Sequence, residues 1–292
     1  LHCRDTLSLH DALPISGEMS HLEEAIVVAQ KAVGSAQEDY PNQAALLNNL
    51  RNKLSRRYDQ TGEMGDLEEA IVVARQALES TPEDHPNWAG RLNNLGNNLE
   101  SRYKRTGEMA DLKEAIVVGR QALESTPEDH PRQAAWLNNL GVYLRSRYVR
   151  TGEMADLDEA LTYFQDAWNC QTAVPFDRVG AAATCLKLLT LLRRFDAAAE
   201  LGEDVINLLP TVNTRLLDRK DQQFVMATFT GIAADLCACL LISNRRNDAL
   251  QYLEKGCTVI IGQLVDSHSN MSALAQQCPD IARRYEELRD EV

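Results

Sequence analysis

The chain has 292 residues, 44% of them hydrophobic, and its 30 basic against 43 acidic residues give a formal net charge of −13. This charge repels phosphate backbones and anionic lipid, so neither nucleic acid nor a membrane surface is expected as a partner. No segment approaches the roughly 20 apolar residues of a membrane-spanning helix. The seven cysteines lack the even spacing of a disulfide framework. We therefore expect reduced thiols and a cytoplasmic location.

The first 15 residues differ in character from the rest. Within them, residues 6–15 read TLSLHDALPI, which resembles one reading frame of a sequencing-library adapter. We therefore interpret residues 1–15 as an assembly artefact and expect them to be disordered.

A 45-residue unit then repeats along the chain, with starts at residues 16, 61, 106 and 151. The units that begin at Thr61 and Thr106 agree at 34 of 45 positions. A fixed period of this length in a helix-rich sequence is typical of a solenoid. We therefore assign residues 16–175 to four units, of which the last is partial.

Each unit is predicted to contain two helices. Asp66 with Glu69 three residues later has the pattern of an N-terminal capping box, and Asp111 and Asp156 repeat it. The segment PEDHP then predicts a turn in which Asp84 caps the next helix, with Pro86 near its first position. That helix should end before a glycine in the left-handed conformation of a C-cap. These glycines are Gly62, Gly107 and Gly152.

The small and apolar positions carry a family resemblance. Their spacing matches the pattern W-x2-L-G-x2-Y, A-x3-F, A and P. The positions are Leu92, Leu95, Gly96, Ala70, Ala77 and Pro82 and, in the next period, Ala115, Ala122 and Pro127. The sequence thus resembles the tetratricopeptide repeat family, and its LNNL segment and HP turn resemble the kinesin-light-chain type. The resemblance implies an all-α, right-handed superhelical solenoid of antiparallel helix pairs.

Beyond residue 175 the fixed period is lost. Ala198 and Pro210 keep the twelve-residue offset of the family pattern, and the segment around Ala249 resembles a further second helix. We assign residues 176–265 to degenerate helix pairs. Residues 266–292 are predicted to be helical and resemble the lead-in to a CHAT domain, a caspase-like protease module, in fungal and bacterial proteins.

The same resemblance implies a binding groove. In this family the first helix of each unit lines a concave groove, and positions beside the L-G pair face a bound peptide. The implied groove residues here are Asn48, Asn52, Asn93, Asn97, Asn138 and Arg145. Asparagine side chains can donate and accept hydrogen bonds along a peptide backbone. The alternative is that the adjacent Asn49, Asn94 and Asn139 bond between helices while the row merely solvates a helix face.

Candidate chemistry is sparse. Glu83, Asp84 and His85 are adjacent in a turn, and three adjacent side chains seldom converge on one metal ion. Cys237 and Cys239 point to different faces of a predicted helix and have no partner pair at zinc spacing. No nucleophile motif or phosphate loop occurs. We therefore predict no enzymatic activity, no catalytic residue, no metal site and no cofactor.

The function predicted from these patterns is a protein-interaction scaffold that binds a peptide or helix in its groove. Two alternatives remain: the array is the regulatory part of a larger CHAT-type cysteine protease, or the sensor of a fungal nucleotide-binding immune-type receptor. In either case it would contact that second domain intramolecularly.

Overall fold

The computed structural model describes residues 9–36, 42–127, 129–208, 219–268, 279–281 and 283–284. These residues form helices joined by turns and short loops, and no strand occurs among them. The chain divides into two compact units, unit 1 and unit 2, between Ala173 and Val174. The predicted all-α fold of packed helix pairs is confirmed.

Unit 1 is a stack of helices packed in chain order. The helices are α1 (Leu9–Ser35), α2 (Gln43–Thr61), α3 (Met64–Glu79), α4 (Trp88–Thr106), α5 (Met109–Glu124), α6 (Gln133–Thr151) and α7 (Met154–Asn169). The most extensive contacts join α2 to α3, α4 to α5 and α6 to α7. We call α2, α4 and α6 the first helices, and α1, α3, α5 and α7 the second helices.

The amino-terminal helix is longer than expected. α1 begins at Leu9, so residues 9–15 are helical where the sequence predicted disorder, while residues 1–8 lie outside the described residues. Once a helix has formed, each added residue orders one position and gains one hydrogen bond, so extension costs little. Whether residues 1–15 derive from an adapter stays a prediction.

Each first helix ends at a glycine, as the sequence predicted. Gly62, Gly107 and Gly152 have φ of 74°, 77° and 77°, the left-handed region in which a side chain is disfavoured. The Gly107 N–H donates to the Tyr103 carbonyl at 2.7 Å. Thr106 Oγ1 then accepts the Glu108 N–H at 3.2 Å and continues the turn.

The predicted capping boxes are wrong. α5 begins at Met109 with Glu108 as its N-cap residue, so Asp111 lies inside the first turn. Its carboxylate instead accepts both the Nε–H and an Nη–H of Arg102, at 2.8 and 2.5 Å. The guanidinium competes for the oxygens that would have capped the helix. The same pair recurs in the neighbouring 45-residue repeats as Arg57–Asp66 and Arg147–Asp156.

The entry to the first helices also differs from the prediction. α4 begins at Trp88 with Asn87 as N-cap residue, beyond Asp84 and Pro86. His85 Nδ1 accepts the Asn87 N–H at 3.0 Å, and this imidazole bond organises the turn that Asp84 was expected to organise. Asp84 itself is exposed.

The small residues of the repeat lie where helices approach closely. Ala70, Ala77, Ala115 and Ala122 are at most 1% exposed. Leu92 and Leu95 are also buried, while Pro82 and Pro127 are exposed and follow the ends of α3 and α5. A Cβ atom on Gly96 would lie 2.9 Å from the Tyr143 hydroxyl oxygen, so α6 can approach α4 because this position is glycine.

Unit 2 contains α8 (Pro175–Leu191), α9 (Phe195–Leu208), α10 (Arg219–Ile242) and α11 (Arg246–His268). Each helix packs on the next in the chain, and α8 also contacts α10. Ala198 and Ala249 are buried, whereas Pro210 lies outside the described residues. Of residues 266–292, the structure describes 266–268 at the end of α11 and the helical residues 279–281, 283 and 284. Within the described chain, no helix combines the length and apolarity needed to cross a membrane.

Candidate functional site

The implied groove residues lie on one face of unit 1, which we call the first-helix face and define by the side chains of α2, α4 and α6 at these positions. Asn48, Asn93 and Asn138 are half-buried and occupy equivalent places on the three helices. Helical spacing puts the next row one turn further along the same face. That row contains the exposed Asn52 and the half-buried Asn97, and the half-buried Arg145 belongs to a third row.

Neighbouring first helices are joined by a ladder of asparagine hydrogen bonds. Asn94 Nδ2 donates to Asn48 Oδ1 at 3.0 Å, and Asn139 Nδ2 donates to Asn93 Oδ1 at the same distance. Asn94 and Asn139 therefore do bond between helices, as the alternative interpretation held, whereas Asn49 makes no such bond among the described residues. The bonds use the oxygen atoms of Asn48 and Asn93 and leave their Nδ2 groups without a partner among the described residues.

The second row is tied down from α6. The Tyr143 hydroxyl donates to Asn97 Oδ1 at 2.5 Å. Burial, with a smaller effect of the Glu100 carboxylate, raises the pKa of Tyr143 well above its usual value, so this hydroxyl stays a donor. Glu100 is 5% exposed, and its Oε1 accepts bonds from Ser146 and from the Lys104 ammonium. The Asn97 Nδ2 group, like those of the first row, keeps its donor capacity.

Two buried donor groups, one on α2 and one on α4, were not expected from the sequence. Arg51 stands where the next units carry Gly96 and Gly141, and it is 7% exposed. Its Nε and the Nδ2 of Asn98 are buried without a hydrogen-bond partner in the described chain. Burial lowers the pKa of Arg51 to about 10. The break in the L-G pattern at Leu50–Arg51 was the signal that could have revealed it.

The second helices are linked by polar pairs of their own. Gln30 Nε2 donates to Glu69 Oε1 at 3.0 Å, joining α1 to α3. The equivalent pair Arg75–Glu114 joins α3 to α5 at 2.8 Å, and a third, Arg120–Glu159, joins α5 to α7. Within unit 1, the interface between successive 45-residue repeats is thus periodic in its polar contacts as well as in its apolar ones.

Unit 1 also contains two open depressions. One of about 440 Å³ lies between α1 and α2, and another of about 500 Å³ lies between the start of α6 and the end of α7. Most of the residues that line the second depression have polar side chains, among them Asp129 and Asp166. Across the part of the chain that the structure describes, no cluster of His, Cys, Asp and Glu side chains is arranged to hold a metal ion.

Comparison with known proteins supports the repeat assignment. The tetratricopeptide repeat family model matches residues 88–132 and 133–167. No curated protein matches the sequence. Among solved structures, BtubC from P. vanneervenii is similar at 17% identity and a TM-score of 0.57, over 83% of this chain and 92% of that chain.

A Podosopora anserina protein described as a kinesin light chain with nearly identical TPR-like repeats is also similar, at 17% identity and a TM-score of 0.48. That match covers 75% of this chain and 96% of the other. At these identities the BtubC match shows a shared fold. The chain thus carries tetratricopeptide repeats between residues 88 and 167 within an all-α solenoid fold.

Proposed function

We propose that the chain is a protein-interaction scaffold that binds an extended peptide along the first-helix face. The observation that carries this proposal is the state of the asparagine row. The oxygens of Asn48 and Asn93 accept bonds from the next first helix, while their N–H groups remain available side by side. An extended peptide offers backbone carbonyl oxygens in series, and these are the acceptors that such a row can bind.

The remaining groups of the face have the same donor character. Asn97 uses its oxygen for Tyr143, and Arg145 adds a cationic donor one turn further along α6. Because the whole chain carries a net charge of −13, long-range attraction favours peptides with basic side chains. The proposed ligand is therefore a peptide whose backbone carbonyls meet the asparagines and whose side chains are polar or basic.

The test starts from a random peptide library displayed on phage and selected against the full chain. Asn93→Asp and Asn138→Asp are then combined in one variant. At position 93 the new carboxylate still accepts the bond from Asn139, but both positions lose the N–H donor and gain a charge that repels carbonyl oxygens. We expect binding of the selected peptide to weaken by about tenfold or more, the value of one or two lost hydrogen bonds, while thermal stability stays close to that of the parent.

A matched control separates binding from structure. Asn94→Asp removes the donor to Asn48 and so weakens the contact between α2 and α4. It should lower thermal stability and leave peptide affinity nearly unchanged. If the double variant binds selected peptides as tightly as the parent does, or if selection enriches no peptide, the proposed groove is wrong.

The two alternatives from the sequence keep this surface and change only what it controls. A CHAT-type protease module or a nucleotide-binding module would respond to the peptide that the array binds. Sequencing of the full-length transcript tests both, because each requires a recognisable second domain joined to the repeats.

A further inference from the structure

The interface between α2 and α4 differs from the interface between α4 and α6 in one pair of side chains. In the α4–α6 interface Tyr143 lies across Gly96, and a Cβ atom on that glycine would lie 2.9 Å from the tyrosine hydroxyl oxygen. One period earlier, the equivalent positions hold Asn98 on α4 and Arg51 on α2. Two polar side chains thus replace a glycine and an aromatic ring at this point of the interface.

Two hydrogen bonds locate these side chains relative to each other. Asn94 Nδ2 on α4 donates to Asn48 Oδ1 on α2 at 3.0 Å. One turn further along α4, Asn98 Oδ1 accepts a bond from Ser55 Oγ of α2, also at 3.0 Å. Arg51 comes three residues after Asn48 and four before Ser55, so helical spacing puts it on the same face of α2. Arg51 therefore lies in the stretch of the interface that the two bonds enclose, on the side of α2 that bonds to Asn98.

Both side chains are buried and carry N–H groups that lack an acceptor. Arg51 is 7% exposed and Asn98 is 4% exposed. The Nε of Arg51 and the Nδ2 of Asn98 have no hydrogen-bond partner in the described chain. A buried donor without an acceptor has lost its hydration and gained no bond in return, which is rare in folded proteins. Two such donors on facing helices therefore point to a ligand that accepts hydrogen bonds.

The ligand must also balance a charge. Arg57, six residues further along α2, binds the Asp66 carboxylate, and the buried Arg91 donates to Thr81. Arg51 has no such partner among the described residues. Burial lowers its pKa, and no carboxylate of the described chain opposes that effect. A water molecule would satisfy the two donors but leave the guanidinium charge unbalanced, whereas an anion does both.

We propose that Arg51 and Asn98 form a binding site for one small monovalent anion, of the size and charge of chloride, between α2 and α4. The guanidinium Nε–H of one helix and the amide Nδ2–H of the other donate to the same ion. The site has one positive charge, so a dianion such as sulfate would leave a negative charge unbalanced in the interface. The bound ion joins two of the helices that form the first-helix face, whether or not a peptide is bound to that face.

The test compares the full chain in sodium chloride and in sodium isethionate at equal ionic strength. Isethionate is a monovalent anion that is too large for a site between two packed helices. We expect chloride to raise the Tm of unit 1, followed by the fluorescence of its three tryptophans, by about 2–4 °C. Mass action gives this shift when the ion is a few-fold above its dissociation constant. In nitrogen-15-labelled chain, the side-chain amide resonances of Asn98 should shift saturably with chloride and not with isethionate.

The next repeat supplies a matched control. Arg51→Gly combined with Asn98→Tyr copies the Gly96–Tyr143 pair, which removes both buried N–H groups and still fills the interface. Arg51→Met keeps a long side chain but removes the charge and the N–H groups, so it tests the site even if the double variant does not fold. Both should lose the difference in Tm between the two salts. Arg56→Met, at an exposed position of the same helix, should keep that difference.

Two results would overturn the proposal. One is an equal Tm and an unchanged Asn98 amide in the two salts. The donors are then satisfied without an anion, by a buried water molecule or by a reversed Asn98 amide that bonds directly to Arg51. The other is a chloride effect that persists in Arg51→Met, because the ion then binds elsewhere. All of these measurements are made without peptide, so their outcome is independent of the peptide-binding test.

Discussion

The ion pair between Arg102 and Asp111 gives the sharpest test of how the units are built. Asp111→Ala removes the carboxylate that binds two guanidinium N–H groups at 2.8 and 2.5 Å. The Asp111 side chain is 8% exposed and that of Arg102 is 28% exposed. The loss should therefore fall between the ~1 kcal/mol of an exposed pair and the 3–5 kcal/mol of a buried pair that loses one partner. We expect about 2 kcal/mol, or a fall in Tm of about 4–8 °C.

Asp111→Asn separates this account from the capping box that the sequence suggested. Asparagine caps helices about as well as aspartate, so a cap would lose almost nothing. The ion pair would lose its charge and one acceptor, and we expect a cost of at least about 1 kcal/mol. Thermal unfolding can be followed by tryptophan fluorescence, because Trp88, Trp136 and Trp168 all lie in unit 1. Unchanged stability in Asp111→Asn would refute the ion-pair account; Asp84→Asn, in the exposed turn, serves as the neutral control.

Two further predictions concern packing and a buried thiol. Gly141→Ala should lower the free energy of unfolding by about 1–2 kcal/mol, because its Cβ would lie 2.8 Å from the buried Phe164 ring. Gly90 has open space around it, so Gly90→Ala should not lower the free energy of unfolding. Equal unfolding curves for the two variants would contradict this packing. Burial raises the pKa of Cys185 to about 11. Iodoacetamide at pH 8 should therefore label the exposed Cys257 long before Cys185, and equal labelling would contradict the burial. The folded pKa of Cys185 exceeds the unfolded value near 9, so the folded state holds the thiol proton more tightly than the unfolded state does. The stability that comes from the buried neutral thiol is therefore fully present below about pH 9 and is lost as the pH rises toward 11.

The repeat and its helix pairs could be predicted because they are local and periodic. Gly107 and its equivalents in the other repeats mark helix ends, because few other residues adopt their positive φ. Ala70 and Ala115 keep their spacing because a larger side chain would separate packed helices. Each of these signals can be found in one unit and checked in the next.

The polar contacts were harder to predict because they depend on which groups compete for one partner. Asp111 has the spacing of a cap, yet an arginine nine residues upstream takes both of its oxygens. The sequence likewise left two roles open for the asparagine row. The structure places Asn139 in an inter-helix bond to Asn93, a pairing between residues 46 positions apart that helical spacing within one unit does not reveal.

The proposed binding of a peptide backbone by the asparagine amides of the first-helix face can be observed at the amides themselves. The most direct measurement follows the side-chain amide resonances of Asn93, Asn138 and Asn94 in nitrogen-15-labelled chain during titration with a selected peptide. We expect large saturable shifts for Asn93 and Asn138, whose N–H groups are available, and small ones for Asn94, whose N–H is already bonded to Asn48. Saturable binding that leaves the Asn93 and Asn138 amides unchanged would contradict it.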